Sequence, residues 1–404
     1  MKSLPIFVKT FLSVWLLGLL LSIPQSNSFA EVSTSIGASA VVEKVPGLVD
    51  NFNDGNNMTL NGASMGPMPD SSIKATYDSA VFYGPNGRSL KLNYDLPVST
   101  HGWNGFWVLL AGGAAPVDVS GFTHLSFFVR GAVGGVEHLK IQLKNVSTDT
   151  ARNTAFLYVN DYLDDGISSG WREVRIPLRA FANLDSLVNV NEIAFVFEAD
   201  YASESAFASV GAVYIDDLGF TTPTLPLEPL RVDHFGDAAE RNALGGRVGG
   251  IGDPLSAQRR FVSSEFHGSS RSMKATYDVS GTHGTSGGYT FIFGGGTDGW
   301  LSVPVNVSGY RYLKFYAKAG PEGNPGSVTY VLNSGAPAGN IGDHLTGLTS
   351  AWQPFTIDLD SFNSDQLSKS SIKQIQFLFE KGVILSAGGS IQGVVYFDQI
   401  EFSN

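Results

Sequence analysis

The chain has 404 residues, more than one hydrophobic core usually serves, so two globular domains are expected. Hydrophobic residues make up 43% and charged ones 16%, with 47 glycines and 18 prolines, which excludes a disordered chain and points to a turn-rich, strand-rich globular one. A formal charge of −11 argues against nucleic acid as a partner, and the lack of cysteine excludes a disulfide framework, a thiol nucleophile, a Cys-ligated metal and a lipid-modified N-terminal Cys.

Residues 1–30 carry the three parts of a secretory signal: Lys2 and Lys9, the apolar run Phe11 to Ile23, and small residues Ser28 and Ala30 before a cleavage point. The expected mature chain starts at Glu31, outside the cell or in a periplasm. Loss of Lys2 and Lys9 takes the charge from −11 to −13. The apolar run is short for a membrane span and no other stretch reaches the ~20 residues needed, so no stable membrane insertion is expected after cleavage. Residues 31–46 read as a loose leader.

From there the chain repeats itself. Leu48-Val-Asp-Asn-Phe52 returns as Arg231-Val-Asp-His-Phe235, and Arg88-Ser-Leu-Lys-Leu-Asn-Tyr-Asp95 as Arg271-Ser-Met-Lys-Ala-Thr-Tyr-Asp278. Val117-Asp-Val-Ser-Gly-Phe122 matches Val305-Asn-Val-Ser-Gly-Tyr310. Trp171 with Ile176, Leu178 and Phe181 matches Trp352 with Ile357, Leu359 and Phe362. Ile193-Ala-Phe-Val-Phe-Glu198 returns as Ile375-Gln-Phe-Leu-Phe-Glu380, and Val213-Tyr-Ile-Asp216 as Val395-Tyr-Phe-Asp398. The order is kept throughout, which defines a first module at 47–220 and a second at 231–404. The three prolines of residues 221–230 favour an extended, semi-rigid spacer between them.

Within each copy the apolar period is two. Leu125, Phe127 and Val129 alternate with Ser126, Phe128 and Arg130, and Leu139, Ile141 and Leu143 alternate with Lys140, Gln142 and Lys144. Many such strands between Gly-rich turns predict an all-β protein of two tandem jelly-roll β-sandwiches. No helical period runs beyond two turns.

The order of these segments resembles the galactose-binding-like jelly rolls that occur as carbohydrate-binding modules, with family 11, the β-glucan binders, the nearest in pattern. The resembling pieces are the opening Val-Asp-x-Phe, Gly105-Phe-Trp107, Val117 to Phe122 leading into the strand to Gly131, Trp171 to Leu178, and Tyr214-Ile-Asp-Asp217. They span nearly all of 48–220. The resemblance implies polysaccharide binding in a groove across one sheet, often with a structural calcium ion. The second copy has Gly288-Tyr-Thr290 in place of Gly-Phe-Trp.

A sugar ring offers a flat C–H face fringed by hydroxyls, so its groove needs exposed aromatic platforms and planar polar groups. His101, Trp103 and Trp107 form the richest cluster, and the two tryptophans share strand parity. Each could equally be a core residue, with Trp103 the better platform. Arg130 and Glu198, echoed by Lys318 and Glu380, read either as hydroxyl ligands or as a cross-strand ion pair worth ~0.2–1 kcal/mol when exposed. Gln142, Tyr158, Asp161 and Tyr162 are weaker groove candidates, and Tyr289 is one for the second copy.

Asp216 and Asp398 sit in phase with apolar neighbours, and Asp50 and Asp233 do the same beside Phe52 and Phe235. An inward carboxylate is costly unless paired, hydrogen-bonded or metal-bound. If first and last strands are neighbours, each pair supplies part of an oxygen cage for calcium, against the alternative of a hydrogen bond to backbone at a bulge.

Gly166-Ile-Ser-Ser-Gly170 has the spacing of a nucleophile elbow but precedes a strand, where it reads as a turn. No His-Glu-x-x-His, P-loop or dinucleotide fingerprint occurs. The expectation is therefore a secreted, non-catalytic binder of polysaccharide acting mainly through its first module. The alternatives are a jelly-roll glycoside hydrolase or polysaccharide lyase, and a surface or matrix adhesion protein.

Overall fold

Residues 47–404 are described by a computed structural model, apart from 70, 135, 151, 206, 223–227, 237–239, 254–256, 269, 296–300 and 336–338. The expected signal and leader, and the middle of the expected spacer, lie outside the described residues.

The first copy has eleven strands: β1 (Leu48–Asp50), β2 (Met65–Met68), β3 (Ile73–Asp78), β4 (Ser89–Asp95), β5 (Trp103–Leu109) and β6 (His124–Gly131), followed by β7 (Lys140–Asn145), β8 (Thr154–Tyr158), β9 (Arg172–Pro177), β10 (Val190–Glu198) and β11 (Val210–Thr221). They form two sheets, one in the order β3-β4-β11-β6-β9 with β1 added to β11, the other β2-β5-β10-β7-β8. All pairings are antiparallel.

The second copy opens with β12 (Leu230–Asp233), β13 (Val248–Ile251), β14 (Ala257–Val262), β15 (Ser272–Asp278) and β16 (Ser286–Ile292). A two-residue pair, β17 (Gly294–Gly295) and β18 (Leu301–Ser302), precedes β19 (Tyr312–Ala319), β20 (Ser327–Gly335) and β21 (Gly339–Thr346). The last strands are β22 (Gln353–Asp358), β23 (Gln374–Glu380) and β24 (Gln392–Ser403). Its sheets run β14-β15-β24-β19-β22, with β12 on β24, and β13-β16-β23-β20-β21, so the order of the first copy is reproduced strand for strand. The duplication read from residue spacing is a duplication of topology, and the fold is the expected pair of β-sandwiches. Among the described residues there are two α-helices, α1 (Ala199–Ser205) and α2 (Lys381–Ser386), of one to two turns each.

Period-two alternation builds the cores. From β10 the residues Ile193, Phe195 and Phe197 point inward and are fully buried, while Glu192 and Glu198 point out. Phe127 of the facing sheet meets Phe195 edge-on at 5.6 Å, and Phe315 meets Phe377 in the same way at 5.1 Å in the second copy. Such rings each contribute roughly 1.5–3 kcal/mol on full burial. The buried apolar cluster is continuous from one sandwich into the other. Among the described residues no helix is long and apolar enough to cross a membrane.

Candidate functional site

The same alternation that sends Phe106 and Val108 of β5 into the core turns Trp103 and Trp107 to the outer face of the β2-β5-β10-β7-β8 sheet, where both are partly exposed. In register, Trp103 lies opposite Glu198 and Trp107 opposite Ala194. Gln142 follows Ala194 on β7, and Phe156 follows Gln142 on β8. A row Trp107–Ala194–Gln142–Phe156 thus crosses three strand spacings, about 14 Å, with an aromatic ring at each end and a small residue in the floor. The Trp107 ring lies over β2, where a Cβ on Gly66 would stand 3.2 Å from its Cζ2. His101 is in the turn before β5, its ring 6.1 Å from that of Trp103.

Glu198 ends the outer row of β10. It forms an ion pair with Lys140 and accepts a hydrogen bond from the Tyr158 hydroxyl at 2.8 Å. Burial pushes its pKa up, but Lys140, the Tyr158 hydrogen bond and the charge of Arg241 outweigh this and hold the carboxyl below its usual value. Tyr158 is 2% exposed, its ring stacked at 3.7 Å on Tyr201 of α1, so it secures Glu198 rather than offering a platform. The Glu198 N–H donates to His138 Nε2 at 3.3 Å, and burial drives the pKa of that imidazole down to about 4. Glu192 and Lys144 pair at 2.6 Å farther along the same face.

Several expected placements are corrected. Arg130 and Glu198 do not pair: Arg130 is on β6, in register with Tyr214 of the other sheet. Lys318 and Glu380 are likewise on different sheets. Lys318 pairs with Glu265 and lies over the rings of Trp352 and Tyr396, while Glu380 accepts from Thr329 at 2.7 Å. Parity along a strand fixes a side chain's face on its own sheet, and says nothing about which sheet that is. Tyr289 aligns with Phe106, is 1% exposed, and donates its hydroxyl to Thr276 O at 3.0 Å, so it belongs to the core. Asp161 and Tyr162 are at the junction of the copies. Tyr162 donates to Ala243 O at 2.6 Å and Arg231 donates to Asp161 O at 2.8 Å.

Lys140, Phe156 and Arg241 were not among the expected site residues. The first two were legible as outward-phase residues of β7 and β8. Arg241 arrives from the second copy, and no local signal marks it.

The four aspartates form two equivalent pairs. β1 lies antiparallel to β11, with bulges at Leu48/Asp50 and Asp216/Gly219, which bring Asp50 and Asp216 together. Asp50 Oδ1 accepts from Phe52 N–H at 2.5 Å, and Asp216 accepts from Tyr83 N–H at 2.8 Å and Asp217 N–H at 3.0 Å. In the second copy Asp233 accepts from Phe235 N–H at 2.7 Å, and Asp398 from His267 N–H at 2.7 Å and Gln399 N–H at 2.8 Å. Phe52, Asp217, Phe235 and Gln399 all hold φ between 47° and 57°, the left-handed backbone that such a bulge imposes. Burial raises both Asp50 and Asp216 to about 7, and Asp50 Oδ2 is buried with no hydrogen-bond partner. Two buried carboxylates with one oxygen unsatisfied fit a hard cation. Among the described residues no third acidic or histidine side chain joins them, so backbone carbonyls would complete the shell.

Residues 48–222 match the family model "Carbohydrate binding domain 30". Among solved structures, similarity is found to a tandem of two family 22 modules from Paenibacillus barcinonensis (14% identity, 88% of this chain and 96% of that one, TM-score 0.28). A family 30 module shares 20% identity over 39% of this chain and 91% of its own, at a TM-score of 0.32. A family 11 module from Clostridium thermocellum, solved with a β-1,3-1,4-mixed-linked tetrasaccharide, shares 16% over 44% and 95%, at 0.31. No curated protein matches the chain.

Proposed function

We propose that the chain is a secreted, non-catalytic polysaccharide-binding protein whose principal groove is the outer face of β5, β10, β7 and β8. Trp103 and Trp107 stack on sugar rings, Gln142 and Glu198 take their hydroxyls, and His101 borders the Trp103 end. The observation that carries this reading is the common face of the two tryptophans with an anchored carboxylate between strands. A β-glucan is the proposed polymer class, in keeping with the family 11 pattern of the segments.

Glu198 is a poor half of a glycosidase pair. Its pKa is held low, which suits a hydrogen-bond acceptor and not an acid, and Glu192, the other outward carboxylate of β10, stands six residues or about 20 Å away. Hydrolysis needs the two carboxyls within roughly 5–9.5 Å. The test is binding of the mature protein to soluble and insoluble glucans with reducing-sugar release followed in the same tubes. Binding without release is expected; release of sugar would overturn the reading, and absence of both would favour an adhesion role.

Structural calcium is proposed at Asp50/Asp216 and Asp233/Asp398, where it would neutralise the buried carboxylates and tie the first strand of each copy to its last. Titration with calcium is expected to raise the melting temperature at pH 7. A melting temperature indifferent to calcium and chelator alike would remove the ion from the account.

A further inference from the structure

We propose that the second copy holds a sugar site of its own, away from its outer sheet face: the cavity between its edge strands β21 and β22, which takes the end unit of a saccharide chain through the Asp343 carboxylate and the ring of Phe355. This site does not depend on the groove of the first copy.

The cavity measures about 340 Å³, and its walls include Tyr330, Asp343, His344, Phe355, Thr356 and Phe362. That volume is within the range of small-molecule sites, roughly 300–1,000 Å³. Two differences between the copies account for it. Leu157 of β8 is buried opposite Ile141 in the first copy, whereas the register of the second puts Asp343 opposite Tyr330 in its place, and Asp343 is exposed. The connection that follows is also shorter. Residues 159–170, twelve in all, bury Val159, Leu163 and Ile167, while the seven residues 345–351 bury Leu345 and Leu348. The core is uncovered where this filling is missing. Val174 and Phe181 of the first copy are buried, and their counterparts Phe355 and Phe362 are partly exposed.

The lining suits a sugar. Phe355 stacks on Phe315 with centroids 5.5 Å apart and also faces the cavity, where it offers the flat apolar surface that a C–H face requires. Asp343 accepts from the His344 N–H at 2.8 Å, which steadies the carboxylate, and its remaining lone pairs suit hydroxyl donors. Asp358 is on the same wall but is engaged by Arg311 at 2.9 Å, so Asp343 is the acceptor assigned here. Burial and the charge of Asp343 raise the pKa of Tyr330, whose hydroxyl therefore stays a donor. Tyr330 and Ile357, each 6% exposed, back the cavity with core, so it admits a chain end and not a chain passing through.

Chain ends are abundant in a short oligosaccharide and scarce in a long polymer, so ligand length separates this site from the groove. A panel of disaccharides of glucose, galactose, mannose or xylose, and a long mixed-linked β-glucan, are titrated by calorimetry into full-length wild type, Trp103→Ala/Trp107→Ala, Asp343→Leu and Asp343→Asn, with melting temperatures alongside. A disaccharide is expected to bind wild type and the tryptophan variant alike. Asp343→Leu, which restores the first copy's residue, should weaken that binding about tenfold or more and leave the long glucan unaffected. Asp343→Asn, which keeps the size of the side chain, should weaken it severalfold and decides the matter if Asp343→Leu lowers the melting temperature. Equal disaccharide affinity of wild type and both Asp343 variants overturns the inference, and so does polymer binding without binding of any disaccharide. Disaccharide binding that depends on the tryptophans and not on Asp343 overturns it too and leaves the groove standing. Polymer affinity unchanged by loss of both tryptophans, with disaccharide binding still sensitive to Asp343, would instead remove the groove reading and keep the cavity.

Discussion

The two copies share a core and differ on one face. Trp103, Trp107, Lys140, Gln142, Phe156 and Tyr158 of the first are, by register, Ser286, Thr290, Thr329, Val331, Gly342 and His344 of the second, while Glu198, on the same face, is kept as Glu380. Inward residues are bound by close packing, where one methylene is felt, while outward neighbours on the same strands such as Trp103, Trp107 and Gln142 are only partly covered. A sheet can therefore keep its architecture while its outer face changes, residue by alternate residue.

The largest effect that would break this contrast is removal of its aromatics. Trp103→Ala with Trp107→Ala is expected to weaken glucan binding by at least about 100-fold, in the range of interface hot spots, and to leave the melting temperature nearly unchanged. Retained affinity in calorimetry would place recognition elsewhere.

Next in size is an acid sensitivity at His138 of the first copy. His138 is held neutral to about pH 4, against 6.5 for the free side chain, whereas the second copy has Ser327 at that place. As pH falls below 6.5 the unfolded chain takes up this proton and the folded one does not. The contribution is full above about pH 6.5 and shrinks toward pH 4, by on the order of 3 kcal/mol in total. Urea midpoints of wild type and His138→Gln, measured from pH 7 to 4.5, should converge as pH drops. Parallel curves would sink the assignment. The comparison with the variant matters because Asp50 and Asp216, raised to about 7, act with the opposite sign.

Lys140→Met leaves Glu198 and the Tyr158 hydroxyl with half of their network, and a cost of about 1–3 kcal/mol in unfolding free energy is expected. The matching change in the second copy, Thr329→Val, removes one hydrogen bond to Glu380 and should cost about 1 kcal/mol or less. The smallest expected effect is a gain. Ser286→Trp with Thr290→Trp rebuilds the aromatic pair on the second copy, and a weak second binding step in calorimetry would show that the remainder of that face still accepts sugar.

The architecture was legible because alternation and repetition are local signals. Phe195 and Glu198 could be assigned to opposite faces of one strand from spacing alone, and the Asp50/Asp216 pair from its apolar phase. What was not legible depends on partners distant in sequence. Arg130 and Glu198 have the right parity for a pair and belong to different sheets. Asp161 and Tyr162 have groove-like chemistry, but meet Arg231 and Ala243 of the other copy. Tyr289 looks like a platform because it follows Gly288, and register makes it the counterpart of Phe106.

Each copy begins and ends on the same sheet, with β1 beside β11 and β12 beside β24. Entry and exit therefore share one side of the unit, the arrangement that tolerates relocation of chain ends. A gene segment coding for such a unit can be copied in line without rethreading either product, and a circular permutant joined across that side and opened at the Met58–Ser64 turn should fold to the same sandwich.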